Sequence, residues 1–145
     1  MAEVRGCRIP EDLYYLVEEH VWAKPEGELV AVGMTDVAQH LAKTIIAVTP
    51  KPVGRRVSRG RSLATVESGK WVGPVPSPVS GEIVEVNELL GREPSAINRD
   101  PYGEGWVARL RPDDWAADAA TLAFGAGGVD AYRRFLEAEG ISCED

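Results

Sequence analysis

Residues 66–74 place a lysine between two short apolar segments and read Val66-Glu67-Ser68-Gly69-Lys70-Trp71-Val72-Gly73-Pro74. Apolar runs of this length, separated by Ser and Gly, are typical of two strands joined by a tight turn. Gly69 favours the turn because glycine accepts a positive φ without steric cost. The pattern predicts that Lys70 lies at the apex of the turn, where another enzyme can reach its amine. An arginine could not be acylated there by the same route, since its guanidinium stays protonated.

The chain on both sides of this turn has the pattern of a mainly β fold. Short apolar runs alternate with Gly and Pro, at Val53, Val57, Leu63–Val66, Val72, Val75, Ile83–Val86 and Trp106–Leu110. Proline lacks the N–H that a central strand donates, so Pro74, Pro76 and Pro78 restrict their stretch to an edge strand or a loop. Gly81 is expected in a second turn like that at Gly69. Two such halves facing each other predict a flattened barrel without parallel strands, with Lys70 at one end.

The N-terminal half adds a hairpin and a short helix to this pattern. Two apolar runs flank the predicted turn at Pro25-Glu26-Gly27, and the second run, residues 29–32, is too apolar for a strand with one face in water. Thr35 is the expected N-cap of a short helix with Asp36 in its first turn. A further strand is expected at Ile45–Val48.

The C-terminal region has helical spacing. Asp113 is the expected N-cap of a helix that ends at Gly125, and a second helix is expected from about Asp130 to Gly140. A length of 145 residues suits one domain, so we expect residues 1–145 to form a single domain with residues 113–140 as a helical decoration.

Charge and hydropathy exclude several classes of protein. The net charge is −7, and the one basic run lacks interleaved aromatic residues, so neither supports nucleic-acid binding. That run consists of Lys51, Arg55, Arg56, Arg59 and Arg61, and it is either a solvated face or a patch that steers a partner. No apolar segment indicates membrane insertion or export, so we expect a cytoplasmic protein.

The other chemically reactive side chains form no recognisable site. Cys7 and Cys143 lie at opposite ends of the chain, and we expect free thiols, with a bridge between the termini as the alternative. His20 and His40 have no evident catalytic partners, and the sequence indicates no metal site. Ser68 and Lys70 as a nucleophile and its base form a weak alternative, because a spacing of two residues need not join their side chains. An unmodified scaffold that binds partners through a sheet edge or the basic run is another alternative.

Several separated motifs then carry a resemblance to a known family. They are Glu67-Ser68-Gly69-Lys70, the run from Ser77-Pro78-Val79-Ser80-Gly81 to Asn87, Asp100-Pro101-Tyr102-Gly103-Glu104-Gly105-Trp106, and the earlier Gly33–Gln39. In this order they resemble the lipoyl-carrying H proteins of the glycine cleavage system, over roughly Leu13 to Leu136. The resemblance implies a mainly β, lipoyl-type barrel-sandwich hybrid with a short helix in the N-terminal half and C-terminal flanking helices. It also implies a non-catalytic carrier with lipoate in amide linkage to Lys70. Biotin carriers share the fold, but they resemble one another in having Met on both sides of the modified lysine, whereas Gly69 and Trp71 stand here.

Some residues depart from the usual H-protein pattern. Trp71 stands where small residues are typical, and Ala42-Lys43 stands where Gly-Asp is common. With Gly6-Cys7, residues 10–15 and Cys143, these departures resemble the lipoate-binding proteins of sulfur-oxidising prokaryotes, which are H-protein relatives associated with a heterodisulfide-reductase-like complex. We therefore favour this branch of the family at the sequence level.

The two branches imply different cargo and partners for Lys70. In the favoured branch the lipoyl group carries sulfur intermediates between sulfurtransferases and the heterodisulfide-reductase-like complex. In the alternative it carries an aminomethyl group from the glycine decarboxylase to the aminomethyltransferase. Both branches imply a lipoate ligase or lipoyltransferase for loading and a dihydrolipoamide dehydrogenase for reoxidation, because the dithiolane does the chemistry and the protein supplies reach and recognition.

Overall fold

The computed structural model describes residues 2–144. Its strands are β1 (Glu3–Val4), β2 (Cys7–Arg8), β3 (Tyr14–Leu16), β4 (Val21–Glu26), β5 (Leu29–Met34), β6 (Ile45–Pro50), β7 (Arg56–Val57), β8 (Ser62–Ser68), β9 (Val72–Pro76), β10 (Gly81–Val86), β11 (Ala108–Pro112) and β12 (Ala123–Phe124). Its α-helices are α1 (Asp36–Ala42), α2 (Ala96–Arg99), α3 (Trp115–Ala119) and α4 (Gly125–Glu139), and short 3₁₀ helices span Val17–Glu19 and Glu88–Gly91.

Two antiparallel sheets face each other across the main core. The larger sheet has the order β12-β3-β4-β5-β11-β10-β7, and the smaller has the order β6-β8-β9. Buried side chains from both sheets meet between them, among them Val32, Leu63, Val66 and Ile83. Every strand pairing within residues 2–144 is antiparallel. The predicted mainly β class is confirmed, and the proline-rich strand β9 is an edge strand, as expected.

A second core covers the outer face of the larger sheet. Trp22 and Ala31 point away from the main core and pack with residues of the N-terminal segment and of α4, including Tyr132 and Leu136. Strands β4 and β5 are therefore buried on both faces. This double burial explains why residues 29–32 are almost wholly apolar.

Several local predictions are wrong in detail. Pro25 and Glu26, expected in the turn of the hairpin, are the last two residues of β4, and Val53 lies in a turn instead of a strand. Gly81 is not in a turn but begins β10. A Cβ atom at this position would lie 2.2 Å from the Arg111 carbonyl oxygen, so the neighbouring strand leaves no space for a side chain. The cap of α3 is Asp114, whose carboxylate accepts from the N–H of Ala117. Gly125 begins α4 instead of closing a helix, so the last helix starts five residues before Asp130. The N-cap at Thr35 and the stop at Gly140 are confirmed.

The expectation of two free thiols is also wrong. Cys7 and Cys143 form a disulfide, with their Cα atoms 5.1 Å apart. The C-terminal segment returns to the turn between β1 and β2, where the Cys143 N–H donates to the Arg5 carbonyl at 2.9 Å and Arg5 Nε donates to the Ile141 carbonyl at 2.7 Å. A contact between residues 136 positions apart leaves no pattern in the sequence.

Two surfaces lie at the two ends of strand β8. We call residues 69–71 and their surroundings the lysine end of β8, and the basic run at residues 51–61 the arginine end. The seven residues of β8 rise about 3.3 Å each, which places the two ends about 20 Å apart. Within residues 2–144 no helix is long and apolar enough to cross a membrane.

Candidate functional site

Lys70 lies in the turn between β8 and β9, as the sequence predicts, with its side chain exposed. Buried Ser68 holds the turn closed. Its N–H donates to the Trp71 carbonyl at 2.8 Å, and its hydroxyl accepts from the Lys70 N–H at 3.3 Å. The hydroxyl of Ser68 is therefore used by the backbone of the turn, which argues against its use as a nucleophile.

Gly69 does not adopt the positive φ expected from its place in the turn. Its φ lies outside the left-handed region, and a Cβ atom built on it would have no neighbour within 4 Å. The turn closes through the hydrogen bonds of Ser68. What glycine provides at position 69 is open space beside Lys70.

The side chain of Trp71 lies over the backbone of Gly73. A Cβ atom on Gly73 would lie 2.2 Å from Cζ2 and 2.7 Å from Cε2 of the indole. Gly73 is in strand β9 with a φ outside the left-handed region, so its backbone conformation does not demand glycine. The missing side chain at position 73 makes room for the indole.

A cavity of about 400 Å³ opens beside Lys70. Its walls come from the segment before β4 and the first residue of that strand, the end of β5, the helix α1, the turn at Lys70 and the second half of β9. Most of its lining is apolar, and the lining residues are Glu18, Glu19, His20, Val21, Met34, Ala38, Leu41, Ala42, Lys70, Trp71, Pro74 and Val75. The carboxylates at its edge belong to the exposed Glu18 and Glu19.

His20 forms a neutral part of this wall. Burial lowers the pKa of His20 to about 4, so the imidazole is uncharged at neutral pH. The Tyr132 hydroxyl of α4 bridges His20 and the N-cap of α1, at 2.8 Å from His20 Nδ1 and 3.0 Å from Thr35 Oγ1. Because Tyr132 is buried, desolvation raises the pKa of its phenol. The helix α4 thus supports the cavity from behind.

Sequence reasoning found Lys70 but missed the cavity. His40 does not line it and borders a shallow polar depression with Lys43 and Arg99 instead. The cavity residues Glu18 to Val21, Met34, Ala38, Leu41 and Ala42 are far from Lys70 in the chain. No periodicity joins them, so only the packing of the sheets could reveal them.

The motif at residues 100–106 serves packing. Trp22 Nε1 donates to the Pro101 carbonyl at 3.0 Å, and the Tyr102 hydroxyl accepts from the Asp36 N–H at 2.9 Å and donates to the Arg8 carbonyl at 2.6 Å. The loop at residues 100–106 therefore joins β4, α1 and β2.

Comparisons with known proteins agree with this architecture. A family model described as Glycine cleavage H-protein matches residues 13–129. The chain belongs to the glycine cleavage H-protein family. Proteins of this family are non-catalytic carriers with lipoate attached covalently to a lysine.

Individual relatives are similar over nearly the whole chain. Glycine cleavage system H protein 5 of Aquifex aeolicus (strain VF5) is 44% identical, over 99% of this chain and 99% of the relative. Glycine cleavage system H protein 2 of the same organism is 46% identical, over 99% of this chain and 89% of the relative. The crystal structure of a glycine cleavage system H protein from Mycobacterium marinum has a TM-score of 0.74 and 32% identity, and the match covers 92% of this chain and 100% of that one. These names favour the glycine cleavage alternative over the sulfur-oxidising branch preferred from the sequence.

Proposed function

We propose that Lys70 carries the lipoyl group and that the loaded protein is a cytoplasmic glycine cleavage H protein. Its cargo would be the aminomethyl group that passes from the glycine decarboxylase to the aminomethyltransferase. The observation that carries this proposal is the exposed amine of Lys70 at a turn apex beside an apolar cavity with an acidic edge.

The residues present fit a lipoyl group. Lys70 offers an amine that a ligase or lipoyltransferase can acylate, and the apolar side chains of the cavity suit a hydrocarbon chain that ends in a dithiolane ring. When bound, the dithiolane would supply a disulfide that opens to take up the cargo on one sulfur, and transfer of the cargo to an acceptor would leave a dithiol that a partner must reoxidise. A dihydrolipoamide dehydrogenase is the partner that this redox cycle requires.

The charge of the cavity distinguishes the two kinds of cargo. Glu18 and Glu19 border it, and burial keeps His20 neutral at pH 7. An aminomethyl cargo ends in an ammonium group, which these carboxylates attract. A sulfur intermediate that carries a negative charge would be repelled by the same carboxylates. The acidic edge therefore supports the aminomethyl cargo.

A second candidate is the carriage of sulfur intermediates between sulfurtransferases and a heterodisulfide-reductase-like complex. Its support is the indole at position 71, which departs from the small residue typical of H proteins after the modified lysine. The names H protein 2 and H protein 5 in Aquifex aeolicus also indicate that one organism has several H proteins. Different H proteins of one organism could then carry different cargo.

Three measurements test these proposals. Peptide mass mapping of the protein from its own cells should find a lipoyl amide on Lys70, and an unmodified Lys70 in lipoate-replete cells would overturn the carrier proposal. Lipoylated protein should then accept the aminomethyl group from a glycine decarboxylase. Failure of that loading, together with loss of thiosulfate oxidation in cells whose chromosomal copy carries Lys70→Arg, would replace the first candidate with the second.

The acidic edge gives a sharper test of the cargo. Glu18→Gln and Glu19→Gln, singly and together, should weaken retention of the aminomethyl cargo while leaving lipoylation complete. Glu67→Gln is the matched control, because Glu67 is an exposed acid near Lys70 that does not line the cavity. Equal effects of all these variants would show that general charge, and not the cavity edge, matters.

A further inference from the structure

Trp71 both lines the cavity and is exposed to solvent. Its indole lines the cavity beside Lys70, yet 40% of the residue remains exposed. Its neighbour Val72 is 63% exposed and does not line the cavity. The two apolar residues after Lys70 therefore point to different surfaces, one into the cavity and one into solvent.

Two contacts fix the position of the indole, one with Gly73 and one between the Trp71 backbone and Ser68. The glycine at position 73 leaves the space in which the six-membered ring lies, since a Cβ atom there would overlap Cζ2, Cε2 and Cη2. The Trp71 carbonyl accepts from the Ser68 N–H at 2.8 Å, which holds its backbone against β8. An aromatic side chain has few rotatable bonds, so a seated indole presents a rigid apolar surface at low entropic cost.

We infer that Trp71 is a positioning residue for the lipoyl arm, by which we mean the Lys70 side chain with its lipoyl group. The indole, seated on Gly73, is the wall against which the hydrocarbon chain of the arm packs when the arm lies in the cavity. This inference rests on the proposed function, because it requires lipoate on Lys70. It adds that one residue of this chain sets how long the arm stays sheltered.

The packing gain is large enough to measure. Each methylene removed from water contributes about 0.8 kcal/mol, which corresponds to about a four-fold change in an equilibrium. Contact of the indole with two methylenes therefore shifts the sheltered population of the arm by up to about 15-fold.

The first test measures how fast the thiols of the reduced arm react with iodoacetamide. The lipoylated full-length protein is checked by intact mass and reduced, and peptide mass mapping separates labels on the arm from labels on Cys7 and Cys143. The reference is free dihydrolipoamide. The wild-type arm should react more slowly than the reference, and Trp71→Ala should raise the rate by up to about 15-fold.

Matched variants separate packing from other effects. Gly73→Ala keeps the indole but removes its seat, so it should raise the rate as Trp71→Ala does. The double variant should react no faster than Trp71→Ala alone, because both changes remove the same contact. Trp71→Phe should restore part of the protection, and Val72→Ala should leave the rate unchanged. Far-UV circular dichroism confirms that each variant is folded.

The second test reads the indole directly. The Trp71 Nε1–H signal in a ¹H–¹⁵N NMR spectrum, assigned by its loss in Trp71→Phe, should shift when Lys70 is lipoylated. The corresponding signals of Trp22 and Trp115, which do not line the cavity, should stay in place.

The outcomes distinguish failure of the proposed function from failure of the inference about Trp71. If Lys70 is never lipoylated, the proposed function fails and this inference fails with it. If Lys70 is lipoylated but the wild-type arm reacts as fast as dihydrolipoamide, or the indole signal does not shift, the inference is overturned and the proposed function stands. The inference also fails if Trp71→Ala slows only loading by the ligase, since the indole would then be a recognition surface.

Discussion

The lysine end and the arginine end of β8 differ in how their charges are held. At the arginine end, Arg56 donates to Asp113 and Arg59 Nε donates to the Thr121 hydroxyl at 3.0 Å, so these two arginines are engaged with the C-terminal region. At the lysine end a single exposed amine lies beside an apolar cavity. Two of the five basic residues at the arginine end are thus held by partners, whereas the proposed lipoyl site at the lysine end offers one exposed amine with open space around it.

The comparison predicts opposite results for the same substitution at the two ends. Lys70→Arg should abolish lipoylation and all carrier activity, because a guanidinium is not acylated by the same route. Lys51→Arg, at the arginine end, should leave both unchanged. Intact mass after incubation with a lipoate ligase measures the modification. Lipoylation of the Lys70→Arg protein would contradict the assignment and would require another lysine as the site.

The disulfide should stabilise the lysine end through α4. Cys143→Ser should lower the free energy of unfolding by about 2–5 kcal/mol, because the unfolded chain regains freedom that the bridge removes. Urea unfolding with and without reductant measures this, and the variant should not respond to reductant.

Hydrogen exchange shows which segments lose stability when the disulfide is removed. In Cys143→Ser the amides of α4 and of residues 17–20 should exchange faster, whereas those of β7 at the arginine end should change little. An equal acceleration at both ends would show that α4 does not support the cavity specifically.

The buried imidazole makes the lysine end sensitive to pH. The pKa of His20 is lowered from 6.5 to about 4, so the unfolded chain binds a proton that the folded protein excludes between these values. The free energy of unfolding should therefore fall as the pH drops from about 6.5 to about 4, by up to about 3 kcal/mol. His20→Asn should reduce this slope, and Asn suits the positive φ of 58° at this position. A slope identical to that of the wild type would show that other groups cause the pH dependence.

The smallest effect is expected at Gly69. Gly69→Ala should change the free energy of unfolding by less than about 1 kcal/mol, since the φ is not left-handed and the added Cβ meets nothing within 4 Å. Gly81→Ala is the contrasting variant and should be far more destabilising, because its Cβ would lie 2.2 Å from the Arg111 carbonyl oxygen. Thermal unfolding of the two variants compares them. Similar melting temperatures would contradict the distinction between the two glycines.

Local patterns were enough to predict much of the fold. The hairpin of β4 and β5, the N-cap at Thr35, the edge position of the proline-rich strand and the exposed Lys70 all follow from residues within a few positions of one another. The errors arose where a distant segment decides the outcome. At position 81 the neighbouring strand β11 leaves no space for a side chain. Gly125 begins a helix whose apolar face packs on the larger sheet.

The sequence by itself determined the strand pattern, the family and the lysine at the turn, because turn chemistry, alternation and motifs are properties of short segments. Only the tertiary structure decided the cavity, the pairing of Cys7 with Cys143 and the seat of Trp71 on Gly73. The first two join segments that are far apart in the chain, and the third depends on the rotamer of one side chain. Such contacts are set by how the sheets and α4 pack, and no local spacing encodes them.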